Sequence, residues 1–458
     1  MPATKSESGW WSPATLIAAV MVLTIFEGAL RKWVFDADPI LRYATYFSKD
    51  LLFFYAGYLG LRRGSLIDVR WLYVCAALII VPSMGATLMS SNPVGVFLSL
   101  RAYVLIPACA YLAASLIRDF RDVERCALLV AVSAMGVAVL STYQYALPAT
   151  HWLNRYDSGV EETHIVATAG HVRATGTFAY ISGMAMLAGV SGWAGTFLAL
   201  PLPGRSQWVR VVGLGALVAG FVCSATSMSR GALMFWSVSI IGGCLLYFRP
   251  KQILAFLFAL LVVSPLLTST GEQVSDDAIS RPDSLTSGLA FRLENSDAIA
   301  DRAGYVLMNL ILGVSNHPLG EGMGVGQPGG KYAASDQSFS YESEWGRIAF
   351  EIGPIGLAAV LFMRFATCQR CWRQLSVATD DRLRLVLATS LPYFGIMSLG
   401  WMAFNHSGNS FAWSVIALSL GAAYGYGRDE GKVSARAIYV PSGPTFIHST
   451  CATGRNVK

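Results

Sequence analysis

The sequence predicts an all-α, polytopic membrane helix bundle of about twelve transmembrane helices with one large external loop. Three observations carry that expectation. Hydrophobic residues make up 54% of the 458-residue chain and charged residues only 14%, where soluble domains carry about 25% charged residues. Mean hydropathy is +0.49, too apolar for a water-soluble core of this length. Apolar runs long enough for the hydrocarbon layer, about 20 residues, recur along most of the chain, and no alternating pattern suggests a barrel.

The runs lie near 13–30, 44–61, 71–89, 94–117, 126–146, 177–200, 208–226, 231–248, 252–270, 346–366, 383–404 and 409–426. Residues 227–230 read either as the gap between two spans or as a break in one long helical pair. The first run lacks the basic start and small-residue cleavage site of a signal peptide and reads as a retained helix. A net charge of +6 points to orientation rather than to a nucleic-acid partner, and none is expected. Arg62, Arg63 and Arg70 follow the second run, Arg118, Arg121 and Arg125 the fourth, Arg205 and Arg210 the sixth, and Arg249 and Lys251 the eighth. Arg364, Arg370, Arg373, Arg382 and Arg384 follow the tenth. The positive-inside rule makes these exits cytoplasmic. Residues 1–12 and 427–458 are then cytoplasmic tails, 13–270 hold nine helices with an external loop at 147–176, 271–345 form the large external loop, and 346–426 hold the last three helices. Within the large loop, apolar residues recur at helical spacing over 298–314, and 320–330 is glycine-rich.

Charged residues at membrane depth are expensive and are candidates for function. Those in this chain fall on one side: Glu27 and Arg31 in the first span, Lys49 and Asp50 in the second, Arg101 in the fourth, Arg173 before the sixth and Arg230 between the seventh and eighth. Glu27 and Arg31 form an i,i+4 pair, with Lys49 and Asp50 as local partners; structural ion pairing and a role in a site both stay open. Arg101, Arg173 and Arg230 have no acid nearby in sequence, and the planar guanidinium fork suits a diphosphate. The eight cysteines fall mostly in apolar runs, so disulfides are not expected, and Cys368 and Cys371 form a lone CxxC in a basic loop. His151, His164, His171 and His317 lie in the outer loops without the paired spacing of a metal site. No metal and no cofactor are expected, and His317, before Pro318, reads as a structural hydrogen-bonding residue. The 320–330 run follows no predicted strand, so it reads as a flexible turn and not as a phosphate loop.

Five segments carry a resemblance. They are Phe26-Glu-Gly-Ala-Leu-Arg-Lys-Trp33, Arg173-Ala-Thr-Gly-Thr-Phe178, Ser229-Arg-Gly-Ala232, Asn316-His-Pro-Leu-Gly-Glu-Gly-Met-Gly-Val-Gly326 and Glu342-Ser-Glu-Trp-Gly-Arg-Ile-Ala-Phe-Glu-Ile-Gly-Pro-Ile-Gly356. In this order, between residues 20 and 426, they resemble the superfamily of O-antigen ligases and O-antigen or exopolysaccharide polymerases. Ligases usually carry His-Asn where this chain has Glu342-Ser343, and that departure favours the polymerase-like branch. The resemblance implies a metal-independent glycosyltransferase of the bacterial cytoplasmic membrane that uses an undecaprenyl-diphosphate-linked oligosaccharide as donor. Its acceptor would be a saccharide or a lipid A-type molecule, and a chain-length regulator and a flippase of the same pathway would be partners. Arg101, Arg173, Arg230 and Arg302 are then the candidates for binding diphosphate, and Glu342 or Glu344 for deprotonating the acceptor hydroxyl. Glu27, Arg31, His317 and Arg347 are secondary candidates. The alternatives are a ligase proper and, from another class, a transporter or flippase of lipid-linked saccharide.

Overall fold

The structure, a computed structural model, describes residues 13–36, 38–64, 67–89, 93–155, 167–168, 171–248, 308–325, 343–400, 402 and 405–429. The fold is α-helical. Its helices are α1 (Thr15–Ala29), α2 (Pro39–Arg62), α3 (Arg70–Met89), α4 (Pro93–Leu116), α5 (Phe120–Ala146), α6 (Ile181–Ala199), α7 (Gln207–Thr226) and α8 (Arg230–Tyr247). A short α9 (308–316), α10 (Glu344–Val377), α11 (Asp381–Leu399) and α12 (His406–Asp429) follow. The strands among the described residues are a two-residue antiparallel pair, Ala167–Thr168 with His171–Val172. Among the described residues, seven helices, α3 to α8 and α10, are long and apolar enough to cross a membrane, the pattern of a multi-pass membrane protein. Every expected run except 252–270, which lies outside the described residues, coincides with a helix.

Polar residues set the helix starts. Asp38, Asp119, Ser229, Ser343 and Asp380 each accept a hydrogen bond from a backbone N–H of the first turn of α2, α5, α8, α10 and α11, satisfying donors that have no partner within the helix. The helices alternate in direction, so the connections collect at two ends. Residues 63–64, 67–69, 117–119, 200–206 and 378–380 lie at one, here called the basic end, where Arg370 stacks on Trp71 and Arg205 pairs with Glu124 at 2.9 Å. The opposite, loop end holds 35–36, 38, 147–155, 171–180, 227–229, 400, 402 and 405, and there Lys32 reaches Thr175 and Thr177 reaches the Ile25 carbonyl. Arg62, Arg63, Arg70, Arg118, Arg121, Arg370, Arg373, Arg382 and Arg384 all sit at the basic end.

The core is built around α6, nearly every residue of which is buried, with α5, α7, α8, α11 and α12 packed on it. Its glycines allow close approach: a Cβ on Gly192 would lie 3.0 Å from the Trp236 carbonyl oxygen on α8. A second cluster joins α3, the middle of α4 and α10.

Three expectations are corrected here. Helix α10 is not one straight span, because Gly353 (φ 70°, ψ 176°) and Pro354 break it into a short arm before the bend and a long arm after it. On a straight helix Glu344 and Arg364, 20 positions apart, would be about 30 Å apart, yet their side chains meet at 2.6 Å, so the short arm folds back along the long one. The CxxC cysteines lie in the last turns of α10 and not in a loop, with Cys371 buried. Finally, the described part of the glycine-rich run is not a loose turn. Gly320, Gly322 and Gly324 all have positive φ, and a Cβ on each would collide with the backbones of residues 351–353, 86–87 and 95–96 respectively. The backbone N–H groups of Met323 and Gly324 donate to Thr87 and Ser99. This strap crosses α3, α4 and the bend of α10.

Gly322→Ala is therefore expected to destabilise the protein by about 1–3 kcal/mol, since φ is 105° and a Cβ would lie 2.8 Å from the Ala86 carbonyl carbon. Gly85→Ala, inside α3 with nothing near its Cβ position, should be neutral or slightly stabilising. Thermal unfolding midpoints in detergent compare the two; equal midpoints would contradict the packed strap.

Candidate functional site

At the loop end, α1 runs on into a π-helical turn, Leu30–Val34, and α4 contains another, Arg101–Leu105. A π turn inserts a residue into the helical repeat and re-aims the side chains around it. These two turns carry Arg31, Lys32 and Arg101, while α2, between them, supplies Tyr46, Lys49 and Asp50. Three cations face one ring: the Arg31 and Arg101 guanidinium carbons lie 5.1 Å, and Lys49 Nζ 4.8 Å, from the Tyr46 centroid. His406, the first residue of α12, meets the same ring edge-on at 5.1 Å. Lys32, Lys49, Asp50 and Arg101 are buried, and Glu27 is 5% exposed. Lys49 donates to the Glu27 carboxylate, and Arg101 Nη1 lies 3.2 Å from Asp50 Oδ2. Lys32 turns the other way, donating at 2.9 Å to both Thr175 Oγ1 and the Gly176 carbonyl oxygen.

The last two contacts tie the cluster to the 173–178 segment. Gln144 on α5 holds Gly176 from both sides, accepting from its N–H at 2.8 Å and donating to its carbonyl at 3.2 Å. Three residues earlier, Arg173 Nε donates to the Ser227 carbonyl at 3.0 Å, and the Ala174 N–H to the Thr226 carbonyl. The α7–α8 turn there contains Met228, a buried non-glycine residue at φ 48°, and such strained positions are held in place by their surroundings. Arg230 follows, half-buried, at the start of α8.

A third group lies on the folded-back arm of α10. Arg364 donates to Glu344 at 2.6 Å and to the Ser398 carbonyl at 2.8 Å, and both ions are buried. Glu351, fully buried, accepts from Ser99 at 2.7 Å and Tyr103 at 2.8 Å, both on α4. At the strap, His317 Nδ1 contacts Glu321 at 2.7 Å and its ring meets Phe350 edge-on, in keeping with a structural role.

The geometry revises several assignments made from sequence. Arg101 does have an acid, Asp50, on another helix. Lys49 and Asp50 divide between two neighbours instead of pairing together with Glu27 and Arg31. Glu344 is buried and paired with Arg364, and Arg364 lies inside the bundle and not among the arginines of the basic end. The α7–α8 connection is a turn between two helices, not a break in one. Arg347 is half-buried on the short arm of α10. Glu342 and Arg302 lie outside the described residues. Tyr46 and His406 were not legible as site residues, because an aromatic in an apolar run and a histidine before a helix read as ordinary interfacial features. Among the described residues no group of three or more His, Cys, Asp or Glu is arranged to hold a metal ion.

Arg31, Lys49 and Arg101 thus gather on the Tyr46 ring, with Glu27 beside Lys49 and Asp50 beside Arg101. Cations held in an apolar setting suit an anionic group. The Glu344–Arg364 pair, by contrast, is internally balanced and braces the bend. Arg364→Ala should destabilise by about 3–5 kcal/mol, because it strands a buried carboxylate. The double variant Glu344→Leu/Arg364→Met should recover most of that loss in thermal unfolding, and a double variant as unstable as the single one would refute the bracing role. Compared with known proteins, the chain matches no family model, and no curated protein is similar to it in sequence.

Proposed function

We propose that this protein is a membrane glycosyltransferase of the polymerase-like kind, extending saccharide chains from an oligosaccharide carried on undecaprenyl diphosphate. The observation that supports this reading best is the gathering of three cations, Arg31, Lys49 and Arg101, around Tyr46 at the loop end. A diphosphate has the charge and the oxygen acceptors to complement it. In the reaction, the anomeric carbon loses its bond to the diphosphate oxygen, which leaves with the electron pair. The acceptor hydroxyl oxygen bonds to that carbon and gives up its proton. Cations fixed near the leaving oxygen stabilise the charge that develops there without reorganising, and this preorganisation is the main catalytic contribution. Arg173 and Arg230, on the neighbouring segment and helix, extend the cationic lining toward the sugar side, and Glu342 is the proton acceptor in this scheme.

The orientation belongs to the same proposal. With the arginine-rich end in the cytoplasm, about twelve crossings place both termini inside and the cation cluster at the outer face of a bacterial inner membrane. A flippase would need charged groups along a path through the bilayer. Of the buried ion pairs among the described residues, Glu27–Lys49 and Asp50–Arg101 lie at the loop end, Glu344–Arg364 inside the bundle and Arg205–Glu124 at the basic end.

Purified protein in liposomes with lipid-linked oligosaccharide should extend chains. Arg230→Ala and Arg173→Ala should abolish extension, and Arg230→Lys should not fully restore it, since a point charge loses the bidentate geometry. Glu342→Gln should keep donor binding and lose about 10²–10⁴-fold in rate. Normal extension by both alanine variants would overturn the diphosphate assignment, and at least half the wild-type rate for Glu342→Gln would remove the carboxylate base. Transfer onto a lipid A-type acceptor without chain extension would make the protein a ligase.

A further inference from the structure

The π turn that carries Arg101 is completed from outside its own helix. Within the turn the Arg101 carbonyl accepts from the Ile106 N–H, five residues on. The next carbonyl, that of Ala102, would in the same pattern look to residue 107, which is a proline and has no N–H. Ala102 is buried, and a buried carbonyl left without a partner is costly. Asn409, in the first turn of α12, supplies the donor: its Nδ2 gives a hydrogen bond to the Ala102 carbonyl at 3.2 Å. Asn409 is fully buried, and its Oδ1 makes no hydrogen bond among the described residues. The one side-chain hydrogen bond of this amide is therefore spent on the turn.

Contacts on either side give this bond its place in the cluster. Three residues before Asn409 on the same helix face, His406 meets the Tyr46 ring, so the first turn of α12 touches both α2 and the π turn of α4. Ser99 and Tyr103, four residues apart on α4, both donate to Glu351 of α10. Arg101, midway between them, is directed instead to α2, where Asp50 Oδ2 lies at 3.2 Å and the Tyr46 centroid at 5.1 Å. Side chains thus hold the turn from α10, and Asn409 holds its backbone from α12. Loss of the extra residue from the helical repeat would turn Arg101 by about 100° around the axis of α4, away from Asp50 and Tyr46.

We propose that Asn409 is a positioning residue, which locks the π turn of α4 through the Ala102 carbonyl and so aims Arg101 into the Tyr46 cluster to bind the anionic group of the donor. The part given to Arg101 rests on the function proposed above; the part given to Asn409 goes beyond it.

The test is equilibrium binding of undecaprenyl diphosphate to the full chain in nanodiscs of neutral lipid, with thermal unfolding recorded for every variant. Asn409→Leu is nearly isosteric and removes the donor. It should weaken binding about tenfold, the loss of one hydrogen bond to a charged group. Asn409→Ala takes its place if the leucine variant lacks a cooperative unfolding transition. Arg101→Gln should weaken binding at least as much. Asn409→Leu added to Arg101→Gln should bring no further loss, because Asn409 acts through Arg101. An Asn409 that only braces the fold would lower the unfolding midpoint and leave the affinity of the folded variant at the wild-type value, which would overturn the assignment. A further loss of about tenfold in the Arg101→Gln background would overturn it too, since the two residues would then act independently. Either result leaves the diphosphate site standing. Wild-type affinity in Arg101→Gln, or no binding by the wild-type protein, would overturn the part of Arg101 and that of Asn409 together.

Discussion

The constraint on which the rest of the structure depends is the cost of holding charge inside an apolar bundle. Five ionisable side chains, Glu27, Arg31, Lys49, Asp50 and Arg101, are gathered around Tyr46, and each needs a counter-charge, a hydrogen bond or an aromatic face. That requirement fixes how the three helices sit. Lys49 can reach Glu27 only if α2 lies against α1, and Asp50, the next residue, can reach Arg101 only if α4 lies on the other side. The π turns in α1 and α4 bring the cations onto the faces where these contacts are made. Helix packing and site assembly are here the same event.

The second organising element is the bend of α10. Its short arm returns along the long one, held by Glu344–Arg364, and brings Glu351 onto Ser99 and Tyr103 of α4. Ser99 also accepts the Gly324 N–H, so one hydroxyl connects the α10 arm, α4 and the glycine strap. Arg101 lies two residues along α4 from Ser99, which links the bend of α10 to the cation cluster through a single helical turn.

Much of this was legible in the sequence. The helices follow from apolar runs, their starts from Asp and Ser caps, and the one-sidedness of the charges from their positions alone. What stayed hidden was pairing at long range. Asp50 and Arg101 are 51 positions apart, and nothing local says which arginine a buried aspartate will meet. The π turns have no composition of their own. The fold-back that pairs Glu344 with Arg364 stayed hidden for a traceable reason: the Gly353–Pro354 step carries a breaker signal, but the apolar run around it hides the bend. The strap glycines read as flexibility because a sequence displays their freedom and not the backbones they touch.

The burial of α6 bears on how the chain enters a membrane. This helix is less apolar than the α5 and α7 helices that flank it. Nearly all its surface faces other helices, so lipid contact does little to hold it. A segment of this kind is poorly retained by the bilayer on its own and depends on neighbours already present. Biogenesis should therefore treat α5, α6 and α7 as a unit, with α6 leaving the insertion machinery only once its flanking helices can receive it.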